Sequence, residues 1–207
     1  MKSIISKQVK PAFMLMVIFS ILTGGIYPVL VTGIAQVIFP WQANGSMLER
    51  NGKIVASQLI GQSMTDPRYF MSRPSATTPF PYNALSSSGS NSGPTNPEFI
   101  ALLKRRVTSL HTINPENFYL VPVDLVTASA SGLDPDISIW AAIYQAKRIA
   151  KLRSINEKAV VCQIINKIKP RYLGILGEPR VNVVELNMGL DTIVMQKPPV
   201  LHKGTHK

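Results

Sequence analysis

From Pro11 to Leu48 the chain carries no Lys, Arg, Asp or Glu. Inside that run, Phe13 to Thr32 is 20 residues dominated by Leu, Ile, Val, Met and Phe. As a helix it rises about 30 Å, the thickness of a bilayer's hydrocarbon core. A buried helix of a soluble domain usually shows a polar face, whereas this run is apolar nearly all round, with Ser20, Thr23 and Thr32 as its small hydroxyl residues. The run predicts a transmembrane helix over 11–33, and any folded domain must then be built from the residues C-terminal to it.

Flanking charge orients the span. Lys2, Lys7 and Lys10 precede it without an acid beside them. Positive residues close to a span stay on the cytoplasmic side, so residues 1–10 are expected inside and everything after the helix outside. A cleaved signal peptide shares the charged start. Its apolar core is shorter, about 7–15 residues, and a small-x-small site follows it. Neither feature fits here, so the run reads as a retained signal-anchor.

The span also carries features that a plain anchor does not need. Ser20 and Gly24 lie four apart, on one face, where small side chains let a second helix approach closely in lipid. Gly24, Gly25 and Pro28 are expected to loosen or kink its outer half. Ser20, Gly24, Gly25 and Pro28 are therefore candidate helix-packing positions. Phe39 and Trp41 suit an aromatic belt at the outer surface.

The remainder supports one extracytoplasmic domain of about 150 residues, large enough for a sizeable core. The net charge is +11, and removing the three N-terminal lysines leaves +8 outside. Nucleic acid is not an expected partner there; lipid headgroups or an acidic protein surface are. Cys162 is the only cysteine, which excludes an intramolecular disulfide, and its helical apolar surroundings predict core packing.

Local signals predict a mixed α/β domain over 34–191. Asn51-Gly52 is a two-residue hairpin turn, followed by a strand at 54–60. Arg68 to Arg73 reads as a short strand or extended segment. Ser72 to Pro97 is crowded with Ser, Pro, Gly, Asn and Thr, and is either a flexible linker or an ordered binding loop. Asn96, Pro97 and Glu98 open a helix with Phe99, Leu102, Leu103, Val107 and Leu110 on its apolar face. Tyr119 to Thr127 reads as a strand, with Pro122 marking an edge or bulge.

A second Ser/Gly loop, Ser129 to Asp136, leads into a helix over 139–153 capped by Ser138. Asp134 and Asp136 are expected to serve that helix's positive end. A third helix opens at Asn156-Glu157, with Val160, Val161, Ile164, Ile165 and Ile168 inward and Pro170 as its stop. Asn182 and Glu185 have capping-box spacing, predicting a helix over 183–190, although alternating Val181 and Val183 also suit a strand. Residues 192–207 are expected to form a disordered tail.

Chemistry of its own is not expected. There is no G-x-x-x-x-G-K-[ST] phosphate loop. A nucleophile elbow requires Ser at the centre of G-x-S-x-G, and Gly89-Ser90-Asn91-Ser92-Gly93 places Asn there. The histidines are His111, His202 and His206, which form no evident general base or zinc cluster, so no metal site is expected. A membrane-anchored extracytoplasmic serine hydrolase remains the alternative that the serine-rich loops invite.

The chain resembles the C subunit of the bacterial Kdp potassium-transporting ATPase. The resemblance rests on Tyr27-Pro28, Gln36 with Phe39-Pro40, Gly45-Ser46, and Leu59 to Gln62. It continues through Tyr69-Phe70 with Arg73 to Ala76, Gly89-Ser90-Asn91 with Gly93-Pro94, and Ser129 with Ser131 to Pro135. It ends with Gln145 and Arg148, then Val181 to Val183 with Glu185 to Asn187. In order and spacing these segments cover about Phe13 to Asp191. Asp136 stands where His is common, and Ala130 where Gly is common.

The resemblance implies an accessory subunit in the bacterial inner membrane. Its implied partners are a channel-like potassium-binding subunit, a P-type ATPase subunit and a very small hydrophobic subunit. It implies a catalytic-chaperone role that raises the ATPase subunit's affinity for ATP, with Gln145 among the residues reaching nucleotide, and no cofactor otherwise. The lysine-set orientation places the domain away from cytoplasmic ATP, so a brace on the channel-like subunit where potassium enters is held beside the nucleotide role. In this family context the Ser/Gly loops are expected to be ordered, and Ser90, Asn91, Gly93, Ser131, Gly132 and Asp134 become candidate partner contacts.

Overall fold

The computed structural model of the 207-residue chain describes residues 2–195. These divide into two units at Val55/Ala56, which are described separately.

The first unit is built on one long helical run. Helix α1 (Lys2–Ile21) passes into a π-helical turn (Leu22–Ile26) and then α2 (Tyr27–Ile38). The stretch Lys7–Ile38, 32 residues, is long and apolar enough to cross a membrane. It rises about 48 Å, more than the hydrocarbon core, so the helix extends past the expected 11–33 at both ends. The expected loosening takes the form of the π turn. Pro28 has no N–H and in a regular helix its ring crowds the carbonyl four residues back, that of Gly24. The wider turn, closed by the Tyr27 N–H on Leu22 O, falls on Gly24 and Gly25 immediately before it.

A short helix α3 (Pro40–Ala43) follows, then strands β1 (Met47–Arg50) and β2 (Lys53–Ser57). Asn51 and Gly52 turn between them at φ +52° and +72°, as the two-residue hairpin turn requires. The strand expected over 54–60 stops at Ser57, whose hydroxyl accepts the Leu59 N–H at 3.1 Å.

The second unit opens with a long irregular stretch and then α4 (Pro97–Ile113), whose first turn is capped by the Asn96 side chain. The strand expected over Tyr119–Thr127 is absent. That segment is a loop with a 3-10 turn (Val123–Leu125): Pro122 directs it, Leu125 and Val126 are buried in the core, and Val121 packs partly against it. Strand β3 (Asp136–Ser138) leads into α5 (Ile139–Arg153), and α6 (Glu157–Asn166) packs back on α5. Strands β4 (Ile168–Lys169) and β5 (Arg180–Asn182) and helix α7 (Val183–Met195) complete it.

The sheet order is β3-β5-β4, antiparallel throughout, with Ile137 opposite Val181. Both readings of the 181–190 region hold in sequence: Val181 lies in β5, Val183 starts α7, and Asn182 Oδ1 accepts the Glu185 N–H. The core gathers Phe70, Ile137, Ile149, Val160, Ile164, Val181, Leu186 and Leu190 from elements far apart in sequence.

Three smaller expectations fail. Cys162 is exposed, not in the core, since α6 is only about three turns long and turns just Val160 and Ile164 fully inward. Ile165 is exposed for the same reason, and Ile168 leaves the helix for β4. The expected tail begins as helix, since α7 continues to Met195; the rest of 192–207 lies outside the described residues.

Candidate functional site

The two Ser/Gly loops are ordered against each other, through hydroxyls and backbone rather than apolar side chains. Ser88 N–H donates to Ser131 O at 3.0 Å, and the Ser87 hydroxyl reaches the same oxygen. The Ser75 hydroxyl donates to Gly132 O at 2.7 Å and also accepts the Tyr82 N–H. Gly132 is needed there: φ is +68°, and a Cβ would lie 2.5 Å from Ser88 O. Gly89 is packed as tightly on Ala130, where a Cβ would meet the carbonyl oxygen at 2.8 Å.

Asp134 does not serve a helix end. Its Oδ2 pairs with Arg73 Nη1 at 3.3 Å, tying the loops together, and its Oδ1 accepts the Asp136 N–H. Asp136 pairs with Arg180, and β3 intervenes before α5. Of the six candidate contact residues, Gly132 is buried and Asp134 half-buried, so they hold the loops; Ser90, Asn91, Gly93 and Ser131 are exposed. Asn91 has φ +49° at the tip.

Gln145 occupies a different place from that of a surface ligand contact. It is 1% exposed, on the inner face of α5. Its Oε1 accepts the Met71 N–H at 2.7 Å and an Arg148 Nη2 hydrogen at 2.9 Å; its Nε2 donates to Met71 O and Ala141 O. Both amide hydrogens and both acceptor positions are in use. A nucleotide contact through this side chain requires those bonds to open.

Asn187 on α7 grips the neighbouring residue in the same way, accepting from Phe70 N–H and donating to Phe70 O. Two buried amides thus stand in for a strand partner along Phe70-Met71, the segment expected to be a strand or extended. Arg148 donates to Tyr69 O, and Arg153 donates to Arg68 O while its guanidinium lies 4.3 Å from the Tyr69 ring centre. Asp191 receives both Arg153 and the Tyr69 hydroxyl. Sequence reasoning misses this clamp. Its one available signal is polar Gln145 beside Ala142 and Ala146, on a face otherwise predicted to be apolar.

In the first unit, Ser20, Gly24, Gly25 and Pro28 lie on a helix that has no buried side chain over residues 7–38. A Cβ at Gly24 or Gly25 would meet nothing within 4 Å, so nothing within the described chain demands glycine there for space. Among the described residues no group of three or more His, Cys, Asp or Glu could hold a metal.

The family model for KdpC, described as the c chain of the K+-transporting ATPase, matches residues 9–192. A protein of Methylococcus capsulatus named potassium-transporting ATPase KdpC subunit is 53% identical over 184 residues, 89% of this chain and 97% of its own length. Proteins of the same name from Herpetosiphon aurantiacus and Dechloromonas aromatica are 53% and 50% identical over the same share of this chain, covering 95% and 96% of their own lengths. The match runs through the apolar helix, the paired Ser/Gly loops and the clamp on Phe70-Met71, and on it the chain belongs to the KdpC family.

Proposed function

We propose that this chain is a non-catalytic, accessory subunit of an ATP-driven potassium uptake pump in the bacterial inner membrane. The family match over residues 9–192, taking in both the apolar helix and the domain, carries the reading. The helix anchors and assembles, the domain lies on the periplasmic side, and the family's channel-like, P-type ATPase and small hydrophobic subunits are the partners. The chain stabilises their complex and, in the family's catalytic-chaperone role, supports ATP use by the catalytic subunit. The test is co-expression with those subunits and purification in mild detergent: two larger membrane proteins are expected to elute with the chain, and elution alone overturns the reading.

How the domain supports the ATPase depends on its side of the membrane. Lys2, Lys7 and Lys10 favour a periplasmic domain that braces the channel-like subunit. The fully bonded amide of Gln145 favours the same mechanism over direct nucleotide contact. Cysteine accessibility separates the two. Exposed Cys162 is first replaced by Ser, and Ser90→Cys or Ser131→Cys is then offered an impermeant thiol reagent in intact cells. Labelling excludes contact with cytoplasmic ATP; labelling only after lysis supports it.

A serine hydrolase needs a hydroxyl free to attack and a base to take its proton. The Ser75, Ser87 and Ser88 hydroxyls donate to backbone carbonyls, and the Ser129 and Ser131 hydroxyls accept backbone N–H groups within their own loop. A serine-directed probe is accordingly expected to leave the chain unlabelled.

A further inference from the structure

Between α4 and the 3-10 turn, an apolar loop stands almost clear of the domain. Phe118, Tyr119 and Leu120 are 95%, 80% and 94% exposed, and Val123 is 65% exposed. Both ends of the loop are tied to α5. Buried Asn117 donates from Nδ2 to Tyr144 O at 2.8 Å, and Asp124 Oδ2 accepts the Ser138 N–H at 2.9 Å. Those two points on α5 are about 9 Å apart along the helix axis. The seven steps from Asn117 to Asp124 could reach about 23 Å if extended. The loop therefore has length to spare and bows outward. Buried Leu125 and Val126 pin the chain immediately after it.

Helix α5 continues this surface. Trp140 is 74% exposed, and Ile143 lies one turn on and is also exposed. Trp140, Lys147 and Lys151 fall on one stripe of the helix, at i, i+7 and i+11. Glu116, which directly precedes Asn117, pairs with both lysines. The segment 116–124 thus runs along that stripe, and its apolar side chains flank Trp140 and Ile143. Neither 118–123 nor 139–143 contains an acid. Scattered exposed apolar residues are ordinary, but three aromatics with Leu, Val and Ile together mark a surface that something covers.

We propose that this surface rests in the headgroup–acyl boundary of the bilayer that receives the chain's own apolar helix. Side chains standing so far out would need a matching cleft in a protein partner, whereas fluid lipid closes around any shape. Trp and Tyr favour that boundary, since one end of each ring system is apolar and the other polar. Lys147 and Lys151, about 10 Å or more beyond Trp140 along α5, can lay their stems on the apolar surface and hold their ammonium groups among headgroups. The residues after the helix carry a net charge of +8, which draws them to acidic phospholipid. The apolar helix keeps the domain tethered to a bilayer.

The test uses the full chain in vesicles of equal parts phosphatidylglycerol and phosphatidylcholine, with Trp41→Phe so that Trp140 is the sole tryptophan. Phosphatidylcholine brominated on acyl carbons near the glycerol is expected to cut Trp140 emission, and the emission maximum is expected to lie to the blue of water-exposed indole. Phe118→Ser with Leu120→Ser should lower the ratio of lipid-seated to free domain by about tenfold or more, from the apolar area withdrawn from the lipid. These side chains touch little of the domain, so its folding should not change. Ile165→Ser, which removes an exposed apolar residue from α6, should leave the quenching as it was. Emission like that of indole in water, without quenching by the brominated lipid, overturns the proposal. Blue-shifted emission that the brominated lipid does not quench also overturns it and assigns the surface to a second copy of the chain. Protection of Trp140 that appears only on co-expression with the other pump subunits overturns it in favour of a protein partner.

Discussion

Asn187 holds Phe70 by both atoms of its amide: Oδ1 accepts the Phe70 N–H at 2.8 Å and Nδ2 donates to the Phe70 carbonyl at 3.0 Å. The residues are 117 apart in sequence, and both are buried. Gln145 repeats the arrangement on Met71, so an irregular segment is fixed in the core by two side-chain amides on different helices. Replacing Asn187 by Ala strands a buried N–H and a buried C=O. At about 1–3 kcal/mol for each unsatisfied group, the loss should reach about 2–4 kcal/mol in urea unfolding of the full chain. A loss under about 1 kcal/mol would mean that water reaches Phe70 and that the clamp is not closed in solution.

The same logic separates two roles for Gln145. If its work is structural, Gln145→Ala lowers the stability of the chain alone, with no nucleotide and no partner present, by a similar amount. A variant of unchanged midpoint that nevertheless impairs ATP use by the assembled pump would favour the ligand role instead.

Glycines in the two Ser/Gly loops should respond differently to Ala. Gly132→Ala puts a Cβ 2.5 Å from Ser88 O at φ +68°, and the left-handed backbone alone costs about 1–2 kcal/mol. Gly93→Ala meets nothing within 4 Å and should shift the thermal midpoint negligibly. Equal effects would show that the loops are not stitched together as described.

Gly24→Leu should leave the domain's unfolding unchanged, because the side chain enters open space, yet reduce recovery of the other pump subunits in mild detergent. Gly33→Leu, about half a turn away around the helix and equally open, is the control and should not. Loss with both, or with neither, sinks the assembly role of the Ser20–Gly24 face.

Glu185 provides the acid-side prediction. Desolvation raises its pKa, but hydrogen bonds from Gln58 and Lys169 and the charges of Lys169 and Lys167 outweigh it and hold the carboxyl below its ordinary 4.5. A depressed folded pKa gives stability that is fully present above about pH 4.5 and is lost as pH falls through the folded value. Glu185→Gln should therefore flatten the fall in unfolding free energy below pH 4.5, and an unchanged acid limb would show that the cluster is open.

Features that depend on a few neighbouring residues are legible in the amino-acid sequence. The uncharged run predicts the long helix, Asn51-Gly52 the hairpin, and Asn96, Ser138 and Asn156 the helix starts, because caps and tight turns are satisfied within about four residues of backbone. The ordered KdpC-type segments make the family legible as well. Tertiary packing decides the rest. Tyr119–Thr127 has strand-like residues, yet it forms no strand, because no neighbour offers it a ladder. Cys162 follows an apolar pattern but faces out, because a short helix has only one side turned to α5. Gln145 and Asn187 look like ordinary polar residues on two helices until the fold brings Phe70-Met71 between them. Burial then turns them into obligatory partners, since a backbone N–H or C=O removed from water must be paired by whatever the fold places beside it.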